Sequence, residues 1–111
     1  MFTVPGCDQT TIEPTKIANY LLSGTHPLGW AKSRFFKQFG FREDAPDELL
    51  KALLAHVRSN AVADTEVSSY GVKYRVDGPL VSPDGRDPLV STIWMVRHSE
   101  TIPRFVTAFP C

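Results

Sequence analysis

Charge of one sign is missing from this chain. Lys plus Arg (12) equals Asp plus Glu (12) over 111 residues, so the formal net charge is zero. Proteins that hold nucleic acid through bulk electrostatics carry a large positive excess, so any polyanion must here meet a local patch. Cysteine is scarce: Cys7 and Cys111, near opposite ends, are the only 2. Termini often lie close together in a folded domain, so a bridge is geometrically possible, but a reducing compartment argues against it and free thiols are expected. No Cys-x-x-Cys pair exists and no histidine is near either thiol in sequence, so no zinc site is expected. Long apolar runs are missing too, and none approaches the length that spans a bilayer. Residues 1–6 have no basic segment followed by an apolar one, so no signal peptide is read and a cytoplasmic location is expected.

What is present suffices for a core, at 42% hydrophobic and 22% charged residues. The length fits a single domain over 1–111: an irregular arm with a short extended piece (1–12), a helical half (13–60) and a sheet half (64–110). A first helix is expected near Pro14, where a missing N–H costs nothing. Ile17, Tyr20 and Leu21 repeat at helical spacing, and Gly24 is a plausible left-handed stop. A second helix runs from about Leu28 to Phe39. Ala31, Phe35 and Phe39 form its stripe, Phe36 widens it, and Gly40 ends it. A third starts around Pro46, with Asp47 and Glu48 complementing the dipole and Asn60 as the stop. Its apolar face is Leu49, Leu50, Leu53, Leu54 and Val57, with His56 beside that face as a boundary or surface residue.

After Asp64 the period changes to two. Val72, Tyr74 and Val76 alternate with Lys73, Arg75 and Asp77, as in a half-buried strand. Gly71 marks a bulge or a junction of two short strands. Pro83-Asp84-Gly85 is a turn signal. Leu89 to Arg97 is apolar on both faces and reads as a central strand; Phe105 to Phe109 reads as the last. Helices followed by strands predict an α+β fold, two to three N-terminal helices packed on a mainly antiparallel sheet of about four strands.

The densest chemistry lies in residues 24–33, Gly-Thr-His-Pro-Leu-Gly-Trp-Ala-Lys-Ser. It sets His26, Gly29 and Lys32 about the expected start of the second helix, where unpartnered N–H groups and the dipole attract anions. A phosphate-binding nucleotide loop is excluded: Lys32 comes two residues late after Gly29, and a helix precedes the motif where a strand is needed. His26 can work as a general acid or base near neutral pH, or can cap a neighbouring carbonyl as a structural residue. Lys32, Arg34, Lys37 and Arg42 give a basic face, which serves phosphates or simply balances nearby carboxylates. Trp30, Tyr70 and Tyr74 could stack bases, although such aromatics are more often core. Thr107, polar on an apolar strand, either bonds across the sheet or orients a phosphate. His98 reads as a turn residue.

Lys16…Tyr20-Leu21-Leu22, then His26-Pro27-x-Gly29-x-x-Lys32-x-x-Phe35-Phe36…Gly40-Phe41, resembles the helical half of a bacterial domain family of unknown function. That family occurs as small stand-alone proteins and at the tails of large secreted toxins. Tyr70-Gly71-x-Lys73-Tyr74, Gly78-Pro79, Thr92-Ile93-Trp94 and Pro103…Thr107-Ala108-Phe109-Pro110 extend the resemblance over about residues 12–110. The arrangement is similar to the barnase–EndoU–colicin–RelE-like toxin ribonucleases. That similarity implies metal-independent RNA cleavage by attack of the ribose 2′-hydroxyl, with no cofactor. It makes His26 the acid or base, Lys32 the neutraliser of phosphorane charge and Thr107 the positioner of the scissile phosphate. Arg104 or Lys73 would assist, and Gly29, Trp30, Arg34 and Tyr70 would join Lys73 in binding substrate. RNA and a cognate inhibitor protein are the expected partners. The other open reading is a non-catalytic interaction module that presents its helical face to a protein partner.

Overall fold

The computed structural model describes residues 1–18, 22 and 30–111, and of Trp30 the backbone alone. The architecture is α+β, with the helices N-terminal to a four-stranded antiparallel sheet. Helix α1 (Pro14–Lys16) opens at its proline as expected and passes into a wider turn at Ile17 and Ala18. Tyr20, Leu21 and the expected Gly24 stop lie outside the described residues.

Helix α2 (Trp30–Gln38) gives way to a reversal at Gly40, whose φ of +101° suits glycine. Its expected start at Leu28 lies outside the described residues, and the expected stripe needs correcting. Phe36 and Ser33 are the buried positions, Phe35 and Phe39 are half-buried, and Ala31 is exposed. The reversal explains the change. It returns the chain so that Phe41 meets Phe36 edge-on at 6.2 Å, which turns the Ser33–Phe36 side inward. Phe39 is covered instead by the Arg86 guanidinium, 4.5 Å from its ring centre.

Helix α3 (Pro46–Ser59) has its expected bounds, with Asn60 following it. Leu49, Leu53 and Val57 are fully buried. His56 is buried as well, at 2% exposure, and is no boundary residue.

The strands β1 (Val62–Val67), β2 (Gly71–Pro79), β3 (Leu89–Arg97) and β4 (Arg104–Pro110) lie in chain order, each antiparallel to the next. Tyr74, Trp94 and Phe105 form one cross-strand row on the core face. On the opposite face the rows are Lys73–Met95–Arg104 and Arg75–Ile93–Thr107. Alternation along the pleat separates these sets. β1 is almost wholly exposed, so it carries no inside–outside alternation.

The N-terminal arm is irregular yet belongs to the core: Val4, Cys7, Thr10 and Ile12 are buried. Arg58 on α3 donates to the carbonyls of Cys7, Asp8 and Thr10. The Thr10 hydroxyl donates to the Pro103 carbonyl at 2.6 Å. Cys7 is buried, Cys111 is exposed, and both are free thiols.

Candidate functional site

The last strand contains an irregularity that the alternation along the chain does not announce. Ile93 pairs with Thr107 and Trp94 with Phe105, so Val106 is an extra residue. Two residues rather than one then separate the inward-facing Phe105 and Ala108. A bulge of this kind re-aims side chains and is common beside functional sites. Here Thr107 is half-buried, and its hydroxyl accepts a 2.6 Å hydrogen bond from the Lys32 ammonium of α2. The two residues are 75 positions apart in the chain.

A second ammonium reaches the same strand. Lys16 of α1 donates to the Phe105 carbonyl at 2.9 Å, with its Nζ 5.5 Å from the centre of the Phe105 ring. Lys16 and Lys32 therefore meet β4 on either side of Val106. An ammonium presents three N–H donors and no acceptor, so each keeps charge directed at this part of the strand.

A family model matches residues 3–111. The chain belongs to the DUF6883 family, a domain of unknown function.

No curated protein sequence matches this DUF6883 chain. Among solved structures, a chain of a contact-dependent growth inhibition toxin–immunity protein complex from Klebsiella pneumoniae 342 is similar, with a TM-score of 0.71 and 15% identity. The match covers 95% of this chain and 96% of that one. At that identity the likeness shows a common fold.

The other expected site residues of the DUF6883 domain are distributed as follows. His26 and Gly29 lie outside the described residues, as does the side chain of Trp30, whose backbone opens α2. Arg34 is exposed on α2. Arg104, at the head of β4, donates to Glu100 at 2.8 Å and lines a groove of about 580 Å³ with Lys16, Tyr70 and Arg97. Tyr70 is 77% exposed in the β1–β2 turn, whereas Tyr74 is core. Lys73 faces a different depression of about 240 Å³, with Asp64, Glu66 and Arg75. The structure thus joins Lys32 with Thr107 and places Arg104 and Tyr70 on one groove, while Lys73 lines a separate depression on the same sheet face, in a row with Met95 and Arg104. Lys16 and Arg97 were not among the expected site residues. The Lys16 of the helical motif was the one available signal, and nothing in its local sequence tied it to the last strand.

His56 does no surface chemistry. Its Nε2–H is shared between the carbonyls of Val90 (2.9 Å) and Gly78 (3.1 Å). Its Nδ1 accepts from the Thr92 hydroxyl (3.2 Å), which in turn accepts from the Trp94 indole N–H (2.8 Å). These partners select the neutral Nε2–H tautomer. Burial pushes its pKa below the ordinary value, with the two carbonyls and Asp77 opposing. His98 accompanies the β1–β2 turn, its ring nitrogen 3.0 Å from the Ser68 carbonyl. Among the described residues no group of three or more His, Cys, Asp and Glu is placed to hold a metal ion. No described helix is long and apolar enough to cross a membrane.

Proposed function

We propose that this domain is a toxin-type ribonuclease that cleaves RNA without a metal by attack of the ribose 2′-hydroxyl. One observation carries the reading: the Lys32 ammonium hydrogen-bonded to the Thr107 hydroxyl at the β4 bulge. A cation beside a hydroxyl suits a phosphate that passes through a more highly charged phosphorane. Lys32 neutralises the added charge and Thr107 orients a phosphate oxygen, with Arg104 assisting from the head of the same strand. His26 transfers a proton as acid or base. The 2′-hydroxyl loses its proton and bonds to phosphorus, and the P–O5′ bond breaks. The 5′-oxygen takes up a proton, leaving a 2′,3′-cyclic phosphate and a 5′-hydroxyl, while water restores the proton balance. The fold shared with a chain of a toxin–immunity complex supports a toxin-related role and a cognate inhibitor partner.

A second reading, a non-catalytic interaction module, is favoured by a different feature. An apolar groove of about 440 Å³ lies between α3 and residues 81–83, lined by Phe41, Ala52, Ala55, Val81 and Pro83 among others. The test is cleavage of structured and unstructured RNA with a chelator present, comparing wild type with His26→Ala and Lys32→Ala. The nuclease reading expects cyclic-phosphate ends from wild type and their loss in both variants. Equal activity in His26→Ala removes the role of His26. Absence of cleavage throughout removes the class and leaves the module.

A further inference from the structure

The groove at the head of β4 adjoins the Lys32–Thr107 contact through Val106 and has a composition of its own. Lys16, Arg97 and Arg104 line its roughly 580 Å³ with Tyr70, Met95 and Val106 among others, so three cations meet one exposed aromatic ring, and no carboxylate is among the lining residues. Glu100 lies beside it and draws the two arginines together: Arg104 at 2.8 Å and Arg97 at 3.7 Å, on different carboxylate oxygens. The hydrogen bond from Arg104 chiefly holds the Glu100 carboxyl below its ordinary pKa, so this tether stays ionised at neutral pH. A guanidinium has five N–H donors, and one carboxylate contact leaves others able to meet an oxyanion.

Tyr70 supplies the other half of the argument. Tyr70 is 77% exposed, and the turn that carries it is braced from several sides. The Ser68 N–H donates to the Gly71 carbonyl at 2.8 Å, and the Tyr70 N–H donates to the Ser68 hydroxyl at 3.2 Å. The His98 N–H donates to the Tyr70 carbonyl at 3.1 Å, and the His98 ring bonds the Ser68 carbonyl. Gly71 pairs directly with Arg97, and a Cβ at Gly71 would strike the Val96 carbonyl oxygen. The ring therefore stands exposed on a backbone that cannot readily shift, in the same groove as Arg97. Such a platform costs little ordering entropy when a flat ligand stacks on it.

We infer that this groove is a subsite for a nucleotide of single-stranded RNA flanking the cleaved bond, with an unpaired base stacked on Tyr70 and its phosphate held by Arg97 and Arg104. The inference rests on the ribonuclease reading and assigns that activity its strand preference. Stacking on one aromatic is tolerant of base identity and needs a base not buried in a duplex. The zero net charge of the chain then becomes intelligible: attraction is confined to one groove instead of the whole surface.

The test uses a 2′-O-methyl oligonucleotide, which lacks the attacking hydroxyl and cannot be cleaved, with binding followed by fluorescence anisotropy. Tyr70→Ala should weaken binding by about 5- to 100-fold, the range of one base–aromatic stack. Arg97→Gln should weaken binding and lower the slope of log K against log salt by about one. A duplex of the same length should bind more weakly than the single strand. Wild-type affinity in both variants, or equal affinity for the duplex, overturns the subsite. The two ideas separate cleanly. Binding that depends on Tyr70 and Arg97 without cleavage keeps the subsite and removes the nuclease. Cleavage with KM unmoved in both variants removes the subsite and keeps the nuclease.

Discussion

Lys32 and Thr107 are joined by a 2.6 Å hydrogen bond that ties the second helix to the bulge of the last strand. Thr107 stands next to the extra residue Val106 and opposite Ile93 of β3.

The pair should act as a unit in RNA cleavage. Lys32→Ala is expected to slow turnover by about 10²- to 10³-fold, the loss typical of one electrostatic stabiliser. Thr107→Val keeps the shape and removes the hydroxyl, so it should also slow cleavage, while Thr107→Ser should retain most of it. Single-turnover rates measure this directly. Thermal melts on the same proteins should show losses of only about 1 kcal/mol, as for one half-buried hydrogen bond. Rates indistinguishable from wild type in Lys32→Ala and Thr107→Val would dismiss the pair as structural.

Stability should fall in mild acid because of His56. Burial holds its pKa in the folded protein below the ordinary value of 6.5. The unfolded chain therefore takes up a proton first as pH drops, and the folded state is penalised from about pH 6.5 downward until it protonates as well. Urea unfolding at pH 7.5 and pH 5.5 should show a smaller free energy at the lower pH. In His56→Phe that difference should shrink. The variant should itself be less stable at pH 7.5 by roughly 2–4 kcal/mol, since Thr92 and two carbonyls lose their partner.

Thr92 and His56 should also couple. Thr92→Val removes the hydroxyl between the indole and the imidazole, stranding donor and acceptor at once. A double-mutant cycle with His56→Phe should give an interaction energy of at least about 0.5 kcal/mol, because the residues share one network. Strict additivity would show that the chain of bonds contributes nothing collectively.

Arg58→Met should loosen the arm. Its guanidinium meets the Cys7, Asp8 and Thr10 carbonyls, and hydrogen bonds to a charged donor contribute about 1.5–3 kcal/mol. Limited proteolysis should then cut within residues 1–12 well before it reaches the sheet. An unchanged digestion pattern would show that Val4, Cys7 and Ile12 hold the arm by packing alone.

Helix α3 and strand β3 could be read from the chain because each carries a strong local signal: leucines at helical spacing after Pro46, and apolar residues on both faces of Leu89–Arg97, interrupted only by Ser91 and Thr92 before the arginine at its end. β1 could not, since its Ala63, Asp64, Thr65 and Glu66 face solvent and leave no alternating pattern. His56 misled for a different reason. A polar side chain next to an apolar stripe normally marks the waterline, and only the distant Thr92, Val90 and Gly78 make its burial tolerable. The residue types of the Lys32–Thr107 contact stood out in the sequence, but the two lie 75 positions apart and only the tertiary fold brings them together. Lys16 was hidden in the same way, because its acceptor is a backbone carbonyl 89 positions away.

The run of bonds from the Trp94 indole through Thr92 and His56 to Val90 and Gly78 also fixes how the third helix sits. A greasy interface can slip by a residue and still be greasy. This one has a single orientation, because rolling the helix by one position would press an imidazole into leucines and leave two carbonyls in the dry interior unanswered. Whatever evolution does to the exposed surface, the angle at which helix meets sheet is locked by a key cut in donors and acceptors.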